Sequence, residues 1–147
     1  MKIIEFKKEQ YILEYLKNCE WGAAKFLYDL IVNDKLYETL GEDTKIIVLV
    51  EKTNVVSFAT YANQDCVDDK TLLPWIGFVY TAEAYRGHRY SQKVIEYIRD
   101  LAKKDNYSCV YLATDHIGLY EKYGFTYMES RIDIYNDESR IYTLKIN

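Results

Sequence analysis

Trp75-Ile-Gly-Phe-Val-Tyr-Thr-Ala-Glu-Ala-Tyr-Arg-Gly-His-Arg-Tyr-Ser-Gln-Lys-Val-Ile-Glu-Tyr-Ile98 reads as a β-strand, a sharp turn carrying Arg86-Gly87-His88-Arg89, and an amphipathic helix. The start of a helix leaves backbone N–H groups without intrahelical acceptors and carries partial positive charge. A strand, turn and helix in this order therefore form a ready anion site. Two arginines and a glycine in the turn direct that expectation toward phosphate. A solvated basic turn is the alternative reading of the same residues.

Outward from this stretch, periodicity supplies the other elements. Upstream, Lys2–Phe6 is expected to open the chain as a strand. Gln10–Glu20 places Tyr11, Ile12, Tyr15 and Leu16 on one helical face, and Ala23–Leu40 does the same with Phe26, Leu27, Leu30 and Ile31. Trp21-Gly22 separates these two helices, and Gly41-Glu-Asp closes the second. Lys45–Glu51 and Val55–Ala62 read as buried strands, the latter with Phe58 and Tyr61 on opposite faces. Asn63–Lys70, with Asp65, Asp68 and Asp69, reads as a loop, and Pro74 marks the edge of the Trp75–Thr81 strand.

Downstream, Ser91–Lys104 is a helix with Val94, Ile95, Ile98, Leu101 and Ala102 inward. Ser108–Ala113 is a strand in which Cys109 is expected to be a buried thiol. Ile117–Tyr123 is a short helix stopped by Gly124. Phe125–Tyr135 and Arg140–Ile146 alternate as antiparallel strands turned by Asn136-Asp-Glu-Ser139. The strand-helix-strand from Trp75 to Ala113 predicts a parallel pair with a right-handed crossover, while short earlier connections suit antiparallel hairpins. The expected fold is α/β (α+β): a mixed, mainly antiparallel sheet of about seven strands with helices on both faces, in one domain over residues 1–147.

Two motifs carry a family resemblance. Arg86-Gly-His-Arg-Tyr-Ser91 resembles the Arg/Gln-x-x-Gly-x-Gly/Ala pyrophosphate loop of the GNAT superfamily of N-acetyltransferases. Gly118-Leu-Tyr-Glu-Lys-Tyr-Gly-Phe125 is similar to that family's (Leu/Phe)-Tyr-x-x-x-Gly-Phe helix and turn. Their order, spacing and element types match, as does the order of elements along nearly the whole chain. The resemblance implies an acetyl-CoA-dependent transferase acting on a primary amine.

By the same resemblance, Val79, Tyr80 and Thr81 offer backbone groups to the pantetheine arm of acetyl-CoA. Such an arm contains amides, and an open strand edge can pair with them. Gly87, His88, Arg89, Tyr90 and Ser91, with Gln92, present N–H groups to the pyrophosphate, and Arg86 opens the loop. Arg89 and Ser91 replace family glycines at the fourth and sixth motif positions. The Arg89 guanidinium is expected to compensate through charge-assisted contact with phosphate, and Ser91 to cap the helix. Thr81 and Glu83 stand where the family usually has valine and often has proline.

Tyr120 matches the tyrosine that protonates the departing thiolate in many family members; a core tyrosine is the alternative, with Tyr123 the structural competitor one turn away. A thiol pKa of about 8.5 makes an acid of modest strength sufficient. His116, in Thr114-Asp115-His116 between a strand and a helix, is expected to accept the amine proton, with Asp115 orienting it or capping the helix. The alternative is that His116 only packs.

Composition bounds the remaining classes. The 147 residues are 49% apolar and 29% charged, as in a soluble globular protein. No apolar run approaches a membrane span, and the first residues lack the pattern of a signal peptide, so the cytoplasm is the expected location. Three widely spaced cysteines argue against a disulfide framework and a zinc site, and no residue cluster has metal-site spacing. A net charge of −4 disfavours nucleic acid and mildly favours a cationic acceptor. The expected partner is a small-molecule or peptide amine, with a homodimer allowed. The alternative to an enzyme is a non-catalytic CoA-binding or sensor module with the same fold.

Overall fold

The computed structural model describes residues 1–146; Asn147 of the expected 1–147 domain lies outside the described residues. Strands β1 (Lys2–Glu5), β2 (Lys45–Glu51), β3 (Asn54–Ala62), β4 (Trp75–Thr81), β5 (Cys109–Thr114), β6 (Thr126–Ile132) and β7 (Glu138–Lys145) form one sheet. Its order among the described residues is β1-β2-β3-β4-β5-β7-β6. Among the described residues only the β4–β5 pair is parallel; the crossover from β4 to β5 contains a helix, as the strand-helix-strand pattern predicts.

Helices α1 (Gln10–Asn18), α2 (Gly22–Val32) and α3 (Leu36–Leu40) pack on one face, and α4 (Tyr90–Lys104) on the other. Strand β2 serves both cores through its pleat. Ile47 and Leu49 join Val94, Ile95 and Ile98 of α4. Ile46, Val48 and Val50 join Ile12 and Leu16 of α1 and Leu27 of α2. Phe58 and Tyr61 of β3 divide in the same way, so their expected opposition holds.

Several boundaries differ from the sequence reading. The helix expected over Ala23–Leu40 is broken at Asn33–Lys35, where Asp34 takes φ +58 and Lys35 N–H bonds the Leu30 carbonyl. Apolar periodicity continues across the break because both pieces cover the same core, so the pattern alone does not register it. The helix expected at Ile117–Tyr123 is only a 3-10 turn at Tyr120–Tyr123, with Gly124 at φ +96 ending it. The strand expected to run to Tyr135 stops at Ile132, because Asp133 accepts hydrogen bonds from the N–H groups of Tyr135 and Asp137 and turns the chain early. Cys109 is half-buried rather than buried.

Candidate active site

The site begins where the sheet comes apart. β4 and β5 pair at Trp75↔Tyr111 and Ile76↔Leu112 and then diverge. On its other side, β4 skips two residues against β3: Gly77 faces Thr60 and Tyr80 faces Phe58, leaving Phe78 and Val79 without a strand partner on either side. Phe78 adopts φ +51, an outlier for a bulky aromatic residue. This is a β-bulge at a strand junction, a device that re-aims backbone groups. The ring of Phe78 stacks on Phe26 of α2, and Tyr80 stacks on Trp21 at 4.9 Å, which holds the bulge in place.

A cleft of about 640 Å³ opens at the divergence. Gly77, Phe78 and Val79 line one wall, and Leu112, Thr114, His116 and Tyr120 line the other. Its size suits a small-molecule substrate. A larger groove of about 1030 Å³ lies elsewhere, bordered by Lys7, Tyr37, Asp43 and Asp105, and contains none of the expected site residues.

Beyond Thr81 the chain makes a 3-10 turn at Glu83–Tyr85 and enters the basic loop. Arg86 Nε donates to the Thr81 carbonyl at 3.0 Å, and its guanidinium lies 5.3 Å from the centre of the Tyr80 ring. Arg86 therefore ties the loop to the end of β4. Gly87 takes φ +88, and Arg89, the residue before α4, takes φ +57 and ψ +34. The N–H groups of Gly87, His88, Arg89, Tyr90 and Ser91 find no acceptor among the described residues, whereas Gln92 N–H bonds the Arg89 carbonyl. Where the family carries glycine, Arg89 keeps the left-handed backbone that glycine would take, at a cost of roughly 1–2 kcal/mol.

Ser91 does not cap α4, contrary to expectation. The helix starts one residue earlier, at Tyr90, and the Ser91 hydroxyl instead meets the Tyr123 hydroxyl at 3.0 Å. That bond joins the two sequence motifs in space. His88 rests against the Tyr90 ring, with centroids 5.5 Å apart. The loop residues Arg86–Ser91 do not line the cleft; they lie past the outer end of β4.

Tyr120 is 6% exposed, packed edge-on against Phe125 and Tyr123, and lines the cleft. Burial, with a smaller contribution from Tyr123, pushes its phenol up to about 12. His116 is exposed at the rim, its N–H bonded to the Thr114 hydroxyl. Asp115 neither caps a helix nor hydrogen-bonds His116 among the described residues, because the chain turns before the 3-10 segment begins. The turn is braced by Glu121, which accepts from Gly118 N–H at 3.0 Å and from the Tyr142 hydroxyl at 3.1 Å. Glu121 and Tyr142 were not among the expected site residues.

A third unexpected residue is Asp65, from the loop between β3 and β4. Its carboxylate lies against Gly77: Oδ1 is 2.2 Å from where a Cβ on Gly77 would stand. Gly77 is thus required for close approach, a reading that an isolated glycine inside a strand pattern already offers.

The sequence pattern of the acetyltransferase (GNAT) family matches residues 10–125. The chain belongs to that family. No curated protein matches the chain by sequence. Solved GNAT-fold structures do match it. An acetyltransferase from Streptococcus agalactiae is 19% identical, with a TM-score of 0.68 over 98% of this chain and 97% of that one. The aminoglycoside 6'-N-acetyltransferase from Enterococcus faecium is 12% identical, with a TM-score of 0.71 over 100% and 98%. An aminoglycoside 6'-N-acetyltransferase complexed with coenzyme A is 11% identical, with a TM-score of 0.72 over 100% and 98%. At these identities the likeness is one of fold. As a GNAT acetyltransferase, the chain combines the seven-strand mixed sheet with the loop at the start of α4. No helix among the described residues is long and apolar enough to cross a membrane.

Proposed function

We propose that residues 1–147 act as one N-acetyltransferase domain that moves the acetyl group of acetyl-CoA to a primary amine by direct attack on the thioester. The observation that carries this reading is the separation of β4 from β5 beside the uncapped start of α4. The residues present fit the acyl donor. Backbone at Phe78 and Val79, out of register with both neighbouring strands, suits the amides of a pantetheine arm, in the manner of an added strand. Tyr80 and Thr81 contribute less, since their carbonyls already accept from the Ser57 hydroxyl and Arg86 Nε. The free N–H groups of Gly87–Ser91, with Arg89, suit diphosphate.

Acetyl-CoA supplies an activated acyl carbon and a thiolate leaving group. A backbone N–H of the bulge polarises the thioester carbonyl. Tyr120 stays protonated throughout the neutral range, because burial raises its pKa, and gives its proton to the sulfur as the C–S bond breaks. His116, exposed on the rim of the same cleft, passes the amine's proton to solvent.

Calorimetry with acetyl-CoA and thiol release in the presence of mixed primary amines test the proposal together. Binding with amine-dependent thiol release is expected. Binding without thiol release would make the chain a CoA-binding module, and absence of binding would overturn the reading of the loop.

A further inference from the structure

The β3–β4 loop brings two ionisable side chains, Asp65 and Cys66, to the cleft, and the transfer chemistry above uses neither. Asp65 lines the same cleft as Tyr120 and His116. Its carboxylate occupies the space left by the missing Gly77 side chain, immediately beside the point where β4 and β5 part. A second polar atom flanks that space. Thr60 Oγ1 lies 3.1 Å from the same Gly77 Cβ position, is fully buried, and has no hydrogen-bond partner among the described residues. A buried hydroxyl without a partner is uncommon in folded proteins and calls for a ligand, ion or water.

The surroundings of Asp65 contain no cation. It forms no ion pair among the described residues, and Cys66, the next residue, is the group that eases its burial. The other titratable groups around it are the Cys66 thiol on its own loop, Tyr135 on the β6–β7 connection with Asp133 beside Cys66, and the cleft residues Asp115, His116 and Tyr120. Asp133 is already occupied by the N–H groups of Tyr135 and Asp137 and by the Ser139 hydroxyl. Burial, opposed by Cys66, raises the Asp65 carboxyl above the ordinary aspartate value. An unpaired carboxylate in a partly dry cleft is costly unless a cation visits it.

We propose that Asp65 is the acceptor-amine subsite, whose carboxylate pairs with the ammonium group of the incoming amine and takes its proton. This rests on the acetyl-transfer reading above and identifies its substrate class as amines that arrive as cations. The ammonium gives one proton to Asp65, and the freed nitrogen lone pair forms the N–C bond to the acetyl carbon. The C–S bond breaks, sulfur takes the Tyr120 proton, and Tyr120 recovers one from the new amide nitrogen. The proton on Asp65 then leaves to water past His116.

The test compares wild type, Asp65→Asn and Gly77→Ala. In the last variant the new methyl group displaces the flexible end of Asp65 while the residue itself is kept. Thiol release is measured with putrescine, tyramine and a lysine-containing peptide across pH 6–9, with acetyl-CoA affinity measured by calorimetry. The expected result is a fall of about 100-fold in kcat/KM for the amine in both variants, with KM raised by the lost ion pair and kcat lowered by the lost base. Loss of the acidic limb in Asp65→Asn and unchanged acetyl-CoA affinity are expected with it. Variants that keep the wild-type amine KM and acidic limb would overturn the proposal while leaving the transferase reading intact. If wild type binds CoA but acetylates none of these amines, the transferase reading fails separately. The Asp65 carboxyl, followed by ¹³C NMR and assigned from its loss in Asp65→Asn, then decides. A downward shift of its titration on adding putrescine with CoA supports the subsite, and no shift with any of the three amines overturns it.

Discussion

At the scale of single residues, the two groups expected to move protons occupy different environments. Tyr120 is buried and held between aromatic rings, so its hydroxyl can be removed without opening the core. Tyr120→Phe is expected to lower kcat by about 100-fold while leaving acetyl-CoA affinity and the unfolding temperature nearly unchanged, as calorimetry and thermal melts would check. Wild-type turnover in that variant would reduce Tyr120 to a packing role. His116 is exposed, and its ring is not held by Asp115. An exposed proton-transfer group is replaceable by a diffusing one. His116→Gln is therefore expected to slow turnover, and added imidazole to restore much of the rate. A variant indifferent to imidazole, with an unaltered pH profile, would show that protons leave the cleft by another route.

At the scale of elements, the start of α4 and the end of β4 work as one joint. Arg86 closes it from the loop side through the Thr81 carbonyl and the Tyr80 ring. The Ser91–Tyr123 bond, worth about 1 kcal/mol, closes it from the helix side. The exposed Arg89 adds charge where the N–H groups are free. Replacing Arg86 and Arg89 together with glutamate is expected to weaken acetyl-CoA binding strongly, and more so at low salt, where screening is least. Unchanged affinity in the double variant, measured by calorimetry at two ionic strengths, would remove the diphosphate from this loop. Two of the boundaries that sequence periodicity missed have local hydrogen-bonding causes. The break at Asp34 goes with a backbone bond from Lys35 N–H to the Leu30 carbonyl, and the early turn at Asp133 with its carboxylate accepting from two backbone N–H groups; a hydrophobic pattern encodes neither.

At the scale of the molecule, the numerous tyrosines couple stability to pH. Burial leads the raised values of Tyr120, near 12, and of the Cys66 thiol, also near 12; Tyr15 and Tyr61 are raised further by the same cause. Tyr111 is raised to about 12, first by its bond with Cys109 and then by burial. Each group holds its proton more tightly folded than unfolded. Its stabilising contribution is complete below the unfolded value, near 9 for the thiol and 10 for tyrosine, and is lost as pH rises through the folded value. The unfolding temperature is therefore expected to fall steadily from about pH 9 to pH 12. A flat melting temperature over that window would contradict the burial of these phenols.

Local pattern was enough for the order of the strands along the chain, the parallel β4–β5 crossover, and the two motifs that carry the family. Pleat alternation and helical periodicity are properties of neighbouring residues, and Gly124, ending its segment at φ +96, is legible in the same way. A helix after the basic turn was likewise readable, with its start one residue late, because helical periodicity is local; the absence of a cap was not. What only the tertiary structure decided concerns contacts between distant segments. It set the two-residue gap that leaves Phe78 and Val79 unpaired, since a bulge exists only relative to the strand beside it. It bound Ser91 to Tyr123 instead of to its own helix. It also carried Asp65, one acidic residue among three in an unpatterned loop, onto the surface of Gly77. A glycine inside a strand announces that something comes close; which side chain fills the space depends on the path of the chain through three dimensions.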